Sequence, residues 1–174
     1  MKKLFVIANW MQGNGLSGGD RIFIELVKRW QLQLDITLFL SKEGSAICQR
    51  HELGNINQRV WASNFFSRWG YLVDILYRTL NSIIKAFSVK TVAGDIIFSS
   101  SDFWPDSFPA LILKKRNPKI TWIAGFYLFA PKPWQKNSPY CGKNFLTGLF
   151  YWIGQLATYY IIRKFADIVF VTSQ

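Results

Sequence analysis

Short apolar runs, each bounded by polar residues or glycine, recur along this chain and predict the strands of a sheet. The first of them, Leu4–Ala8, is apolar at every position, which is typical of a strand that helices cover on both faces. We therefore place the predicted strand Lys3–Asn9 in the middle of the sheet. Five later segments have the length and composition of strands: Asp35–Leu40, Ile56–Ala62, Asp95–Phe98, Ile120–Ala124 and Ile168–Thr172.

Between these runs, apolar residues recur at every third or fourth position, and this spacing predicts helices. Asp20–Trp30 and Phe108–Lys115 are two of them, and Ser41–Gly44 predicts a polar turn. Ser67–Val92 predicts a long helix that packs through one apolar stripe. The stripe consists of Trp69, Leu72, Val73, Leu76, Leu80, Ile83, Ile84 and Phe87, and the opposite polar side of Arg68, Asp74, Arg78, Asn81 and Lys85.

The alternation of strands and helices predicts an α/β fold with a mostly parallel sheet, because a twisted strand that feeds a helix packs back onto the sheet in one hand. We expect a Rossmann-like three-layer sandwich. At 174 residues, half of them apolar, the chain can bury one full core and has little room for a second. A single domain over residues 1–174 is therefore predicted.

The formal net charge of +11 favours a polyanionic partner: a nucleic acid, an anionic membrane surface or a phosphorylated substrate. The basic residues are scattered or paired, without the long run expected of a nucleic-acid arm. We therefore expect no nucleic-acid partner. Cys48 and Cys141 are far apart, so neither a disulfide framework nor a zinc site is indicated, and a cytoplasmic location fits best.

Phe145–Ile162 carries no formal charge, is rich in aromatic residues and is followed by Arg163 and Lys164. Three interpretations stay open for it: a membrane span at the lower limit of length, a helix on a membrane-facing surface, and a packed helix whose end the two cations stabilise. Peripheral contact with the cytoplasmic face of a membrane is therefore one of the partners that the sequence allows.

The loop Trp10–Gly19 follows the first strand, precedes a helix and contains four glycines, with Gly18 and Gly19 next to the helix. Backbone without side chains lets a ligand come close, and a helix N-terminus offers free N–H groups and partial positive charge to phosphate oxygens. The spacing differs from the Gly-x-Gly-x-x-Gly and P-loop motifs. A phosphate-bearing ligand is indicated, with glycines that only shape a turn as the alternative.

Two further groups of candidate residues follow later strands, at the edge where open α/β sheets bind ligands. Ser100 and Asp102 come directly after Asp95–Phe98, where they could hold a sugar; the alternative is that Asp102 or Asp106 caps the next helix. Phe126 and Tyr127 follow Ile120–Ala124 and could stack on a ligand or belong to the core. These residues are the acceptor-side candidates.

His51 is the only histidine and lies in a polar segment far from the glycine loop. A metal site or a Ser-His-Asp triad is therefore not expected, and neither is a cofactor. This composition removes most of the support for a conventional hydrolase.

Several weak motifs, taken in order, resemble the N-terminal domain of family 4-like glycosyltransferases of the two-domain GT-B fold. The opening motifs are Lys3–Ile7, Gly18-Gly19, Glu25–Arg29, Ile36–Phe39 and Gly44, and the segment Arg163–Ser173 resembles the last helix and strand of that domain. The resemblance implies the acceptor-side domain of an enzyme that transfers a hexose-type sugar from a nucleotide-sugar to a glycan or lipid-linked acceptor. Gly18 and Gly19 would approach the donor diphosphate.

In that family a second domain holds most of the nucleotide-sugar site, and no segment here corresponds to it. The resemblance therefore implies a domain that is inactive alone. Many relatives also place histidines after the fourth and fifth strands, where this chain has Phe98–Asp102 and Ala124–Phe129. The catalytic residues thus stay unknown. A non-catalytic membrane-associated or partner-binding protein, and a truncated or split gene product, are the alternatives.

Overall fold

Strands and helices alternate throughout the computed structural model, which describes residues 2–13, 15–63 and 65–172. The predicted loop Trp10–Gly19 and the segment Arg163–Ser173 each have one residue outside these ranges. The elements are β1 (Lys3–Ala8), α1 (Gly18–Trp30), β2 (Asp35–Ser41), α2 (Lys42–Arg50), β3 (Asn57–Ala62), α3 (Tyr71–Ala86), β4 (Ile96–Ser99), α4 (Trp104–Arg116), β5 (Thr121–Gly125), α5 (Phe145–Phe165) and β6 (Ile168–Phe170).

The six strands form one sheet in the order β3-β2-β1-β4-β5-β6, and every neighbouring pair is parallel. This confirms the predicted sheet and the central place of β1, where Val6 lies opposite Leu38 on one side and Phe98 on the other. The chain builds outward from β1 through β2 and β3, and then resumes on the other side with β4. The strand order therefore reverses between β1 and β4, which is where open α/β sheets form a crevice.

Two hydrophobic cores lie on opposite faces of the sheet, so the fold is the predicted three-layer sandwich. Because side chains alternate along a strand, Phe5 and Ile7 join the core under α3, α4 and α5, whereas Leu4, Val6 and Ala8 join the core under α1 and α2. β1 is consequently buried on both faces. Its carboxyl end is held rigidly by both cores.

The predicted polar turn at Ser41–Gly44 is wrong, because β2 continues directly into α2. Ser41 ends the strand and is also the N-cap of the helix, since its hydroxyl accepts from Gly44 N at 2.9 Å. The same hydroxyl donates to Met11 O at 2.7 Å. One buried side chain thus joins the start of α2 to the loop after β1.

The long helix predicted over Ser67–Val92 is interrupted, and its orientation is the reverse of the prediction. Gly70, at φ +100°, separates a short 3₁₀ turn from α3, which ends at Ala86. Two residues of the predicted polar side are buried, Asp74 and Arg78 at 2 % and 0 % exposure, whereas Asn81 and Lys85 are half-buried and Arg68 is exposed. Most of the predicted apolar stripe is exposed instead: Trp69, Leu72, Val73, Leu76, Leu80, Ile84 and Phe87.

α4 begins one turn before the predicted helix Phe108–Lys115, and neither predicted aspartate caps it. Its N-cap is Phe103, which makes no side-chain capping bond. Pro105 lies in the first turn, where a missing N–H costs nothing, but Pro109 lies inside the helix. Since Pro109 cannot donate to the carbonyl four residues earlier, that of Pro105 is free to accept a weak bond from Asn9 Nδ2 at 3.4 Å.

α5 extends the predicted helix Phe145–Ile162 by one turn and packs beside α4. Its buried positions are mostly small or polar, and they include Gly154, Gln155 and Thr158. In the part of the chain that the structure describes, α5 is the one helix long and apolar enough to cross a membrane by length and composition. Only 28 % of its apolar window is buried in the protein.

Candidate functional site

A pocket opens at the carboxyl edge of the sheet, where the strand order reverses between β1 and β4. Its volume is about 290 Å³. We call it the edge pocket. The loop after β1 contributes Trp10, Met11, Gln12, Gly15 and Ser17, and the start of α1 contributes Gly19 and Asp20. The segment after β4 contributes Ser100, Ser101, Phe103 and Asp106.

The N-terminus of α1 lies at this pocket and has a capping box. Ser17 Oγ accepts from Asp20 N at 3.2 Å, and the Asp20 carboxylate accepts from Ser17 N at 2.9 Å. Gly18 and Gly19 are therefore the first two residues of the helix, which corrects the predicted loop boundary. No described residue accepts a bond from their N–H groups. Asp20 also offsets part of the positive end of the helix dipole.

Gly18 and Gly19 differ in their surroundings. A Cβ on Gly18 would meet nothing within 4 Å, whereas a Cβ on Gly19 would lie 3.0 Å from Tyr127 Cε2. The ring of Tyr127 therefore covers Gly19, and the absence of a side chain there makes room for it. The structure brings two predicted site residues, one from the glycine loop and one from the segment after β5, into direct contact.

Tyr127 packs inside the protein, and its hydroxyl is buried. The hydroxyl has no partner among the described residues and lies next to Gly125, where a Cβ would come within 2.7 Å of it. Burial, and then the charges of Asp106 and Asp102, raise the pKa of Tyr127 above its usual range. The phenol thus stays neutral, with an unused donor beside the end of β5.

Phe126 is placed in the core. It is buried under α3–α5, where its ring lies 4.9 Å from that of Phe129 and 5.8 Å from that of Tyr159. It is not among the residues that line the edge pocket. The core alternative that the sequence left open for this aromatic residue is therefore the one that the structure supports.

Asp106 ties the two walls of the edge pocket together. Its Oδ1 accepts from Asn9 N at 2.6 Å and from Trp10 N at 3.1 Å, at the end of β1. Its Oδ2 accepts from the hydroxyls of Ser100 and Ser101. Burial raises the pKa of Asp106 to about 7, although each of these hydrogen bonds opposes the shift. The predicted site residue Ser100 is thereby fixed in the pocket wall.

Asp102 belongs to a different cavity. Its Oδ2 accepts from Gln155 Nε2 at 2.8 Å, and burial raises the pKa of Asp102 to about 6. Gln155 also donates to Leu128 O at 2.7 Å, so it joins α5 to the segment after β5. Asp102 therefore does not share the edge pocket with Ser100. It lines a cavity of about 220 Å³ between α3, the start of α4, and α5, which we call the helix cavity.

Arg78 is a residue whose place the sequence analysis missed. It is fully buried and donates to Asn9 O at 3.1 Å, to Asp74 Oδ2 at 3.0 Å and to Glu43 Oε1 at 3.3 Å. Its guanidinium also lies 5.8 Å from the ring centre of Trp10. Arg78 thus fixes the end of β1 and the loop behind the edge pocket. The spacing of Asp74 and Arg78, four residues apart on one helix, was the available signal.

The edge pocket combines groups that suit a polar ligand with ring faces. Hydroxyls come from Ser17, Ser100 and Ser101, and backbone N–H groups from the start of α1. Trp10 and Phe103 are stacked at 4.9 Å and provide an aromatic wall. Sugar hydroxyls and phosphate oxygens are the partners that such a set recognises. Within the described residues, no cluster of three or more His, Cys, Asp or Glu side chains could hold a metal ion.

No family model matches the sequence, and no curated protein is similar to it.

Proposed function

We propose that this chain is the acceptor-side domain of a nucleotide-sugar-dependent glycosyltransferase that moves a hexose-type sugar. The observation that carries the proposal is the edge pocket, because it lies at the reversal point of a parallel sheet and combines an open helix N-terminus with hydroxyls and stacked rings. The motif resemblance described above supports the same function. A six-stranded parallel sheet is the fold that the resemblance implies.

The residues of the edge pocket have distinct roles in this proposal. The N–H groups of Gly18 and Gly19, from which no described residue accepts a bond, face the donor diphosphate, whose charge suits the start of a helix. Gly19 lines the edge pocket, and Gly18 precedes it at the start of α1. Ser100 and Ser101 present hydroxyls to the acceptor, and the Trp10 side chain, which lines the pocket, contacts the sugar. Asp106 is a positioning residue, since its carboxylate holds both serines.

In this proposal a second domain across the pocket holds the donor, and residues 1–174 form the acceptor side of the cleft. Holding donor and acceptor in line can lower the barrier of a transfer reaction by several kcal/mol, up to roughly 10 kcal/mol. This effect needs both halves of the cleft. We place the working enzyme in the cytoplasm or at the cytoplasmic face of a membrane, where nucleotide-sugars are made.

The test is a titration of the full chain with sodium pyrophosphate and with UDP-glucose, followed by backbone amide NMR. We expect the amide signals of Gly18 and Gly19 to shift in a saturable way, with dissociation constants of about 1 mM or weaker, because half of the site is present. Shifts spread over surface lysines and arginines, with Gly18 and Gly19 unmoved, would contradict the proposal. Methyl β-glucoside, titrated separately, should move the signal of the Trp10 indole N–H.

The second candidate function is a non-catalytic membrane-associated protein, and the exposed side of α3 favours it. Exposed apolar residues on α3 and α5 form what we call the apolar face: Leu72, Val73, Leu76, Leu80, Ile84, Leu146, Phe150 and Ile153. An exposed patch of this kind marks an interaction site.

Exposed charge is positive in the stretch of the chain, residues 53–166, that contains α3 and α5. Between residues 53 and 166 the chain has fourteen basic residues and four acidic ones, and all four acidic side chains, Asp74, Asp95, Asp102 and Asp106, are buried. Cations beside apolar side chains suit an anionic lipid surface. Flotation with phosphatidylglycerol vesicles tests this candidate. Binding that the double substitution Leu80→Glu/Ile84→Glu abolishes, combined with no response to UDP-glucose, would favour it over the glycosyltransferase.

A further inference from the structure

The walls of the helix cavity are almost wholly apolar. They are formed by Leu72, Ile75 and Leu76 of α3, by Trp104 of α4 and by Phe150 of α5. Ile75 is buried, whereas the two leucines and Phe150 are also part of the apolar face. The cavity therefore opens where apolar side chains are already exposed. A ligand that leaves it passes along apolar surface and not directly into water.

Polar groups at the bottom of the cavity are already paired with each other. Gln155 Nε2 donates to Asp102 Oδ2 at 2.8 Å and to Leu128 O at 2.7 Å. Trp104 Nε1 donates to Gly154 O at 3.0 Å. Gln155 and Trp104 therefore offer no unused N–H donor to an occupant, and the hydroxyls in the lining belong to Tyr71 and Tyr151. A hydrocarbon suits such a largely apolar space.

The helix cavity and the edge pocket share one wall, the ring of Phe103. This ring is stacked on Trp10, 4.9 Å away on the side of the edge pocket, and on Tyr151, 5.1 Å away on the side of the helix cavity. Both faces of the ring are covered by these neighbours, so a molecule that occupies both spaces would pass the edge of Phe103. One of its ends would lie among hydroxyls and backbone N–H groups and the other among leucines. Only an amphiphile matches both ends.

We infer that the helix cavity holds the hydrocarbon chain of an amphiphilic acceptor whose polar head group lies in the edge pocket. The inference rests on the proposed function and narrows its acceptor from glycan or lipid-linked to lipid-linked. The apolar face then provides the route by which the hydrocarbon chain of the acceptor reaches the cavity.

The first experiment measures binding of a hydrocarbon chain that carries no sugar head group. The probe is 11-(dansylamino)undecanoic acid, whose emission rises and shifts to the blue in an apolar cavity, and the competitor is monomeric dodecyl phosphate. We compare Leu76→Glu, at the mouth of the cavity, with Ile84→Glu, which is exposed on the same helix two turns further along. Both positions are exposed, so both variants should fold.

We expect Leu76→Glu to weaken probe binding by about tenfold or more and Ile84→Glu by less than about twofold, because only the former places a charge at the cavity. Equal weakening in the two variants would overturn the inference, since the hydrocarbon chain of the probe would then bind anywhere on the apolar face. So would unchanged binding in Leu76→Glu. Neither measurement uses a nucleotide-sugar, so a failure here is separate from unmoved Gly18 and Gly19 signals, which would overturn the proposed function.

The second experiment asks whether one molecule reaches both spaces. Dodecyl β-glucoside below its micellar concentration should move the indole N–H signals of Trp10 and Trp104 together, since these residues line the edge pocket and the helix cavity. Methyl β-glucoside should move only that of Trp10, and decanoate only that of Trp104. If dodecyl β-glucoside moves Trp104 without Trp10, the head group lies elsewhere and the amphiphile inference is wrong.

Discussion

Helices α1 and α3 have similar amphipathic patterns and opposite orientations. α1 buries Phe23, Ile24 and Val27 against the sheet and leaves its charged residues in water. α3 buries Asp74 and Arg78, and exposes Leu80 at 60 % and Ile84 at 68 %. The pattern therefore shows that a helix has an apolar side, but not what that side contacts. The partners of the polar side decide the orientation.

Substitution of Arg78 should have the largest effect on stability of the changes that distinguish α3 from α1. Replacing it with methionine removes the cation that pairs with Asp74, which keeps only the bond from Gln12 Nε2 at 2.9 Å, and removes the donor to Asn9 O. We expect a loss of about 3–5 kcal/mol in the free energy of unfolding, because a buried carboxylate then lacks its countercharge. On α1, Arg29→Met removes an exposed cation and should change it by less than about 0.5 kcal/mol. Urea unfolding followed by circular dichroism measures both.

A second substitution separates charge from packing in that experiment. Asp74→Leu in the Arg78→Met background removes the unpaired carboxylate and should restore part of the lost stability, because two apolar groups replace a broken ion pair. No recovery in the double variant would indicate that Arg78 acts mainly through Asn9 and Glu43. Comparable losses in Arg78→Met and Arg29→Met would contradict the burial of Arg78.

Truncation of apolar side chains tests the other half of the comparison. Ile24→Ala in α1 leaves a cavity in the core and should cost about 3 kcal/mol. Ile84→Ala in α3 removes an exposed side chain and should cost less than about 0.5 kcal/mol. The two variants have the same chemistry, so any difference in their denaturation midpoints reports burial. A large loss for Ile84→Ala would mean that the apolar face is covered in solution.

The sequence predicted the sheet well because burial on both faces leaves a direct signal. Leu4–Ala8 can be continuously apolar only where helices cover both faces, and the structure confirms it. The reversed α3 could not be predicted this way, since Arg78 is stabilised by Asn9 O, 69 positions away in sequence, and by Glu43 of another helix. Hydrogen bonds between distant segments leave no periodic trace in the chain.

In the candidate site, too, some residues could be predicted from local sequence and others depend on contacts with distant segments. Ser100 was predicted from its place after a strand, and it does line the edge pocket, because all parallel strands end at one edge. Asp102 follows two residues later but turns to Gln155 in the helix cavity. Neither Gln155 nor Phe103 was a candidate, since a glutamine in an apolar helix and a phenylalanine after a strand are ordinary. Local position predicts the edge of the sheet and not the cavity that a side chain enters.

Two buried carboxylates, Asp102 and Asp106, make the stability of the protein depend on pH. The pKa of Asp102 is about 6 in the folded protein, above its usual value of 3.8. Between those values the folded state binds more protons than the unfolded state, so this residue lowers stability as pH rises from about 4 to 6 and changes nothing further above that. Asp106, with a pKa of about 7, acts in the same direction up to pH 7.

Asp102→Asn isolates this effect, because an asparagine oxygen can still accept from Gln155. We expect wild type and variant to have similar stability at pH 4, and the variant to be more stable by about 2–3 kcal/mol at pH 8, where wild type must bury a charge. Urea unfolding at a series of pH values measures the difference. A constant difference across the series would mean that the pKa of Asp102 is the same in the folded and unfolded states, so that burial does not raise it.

Gly18 and Gly19 offer the finest version of the comparison, since they are adjacent in the same turn of α1 and only one of them contacts Tyr127. A Cβ on Gly19 would lie 3.0 Å from the ring, so Gly19→Leu must push Tyr127 aside, and we expect a cost of about 1 kcal/mol with the fold retained. Gly18→Leu points into open space and should be neutral or slightly stabilising, because glycine is a poor helix residue. Thermal unfolding measures the change in stability, and the pyrophosphate titration measures the change in binding.

If the N–H groups at the start of α1 bind phosphate only when Tyr127 keeps its place, Gly19→Leu should also lose the pyrophosphate response, and Gly18→Leu should keep it. Equal responses in both variants would show that the ring has no part in binding, and the role of Gly19 would then be packing alone.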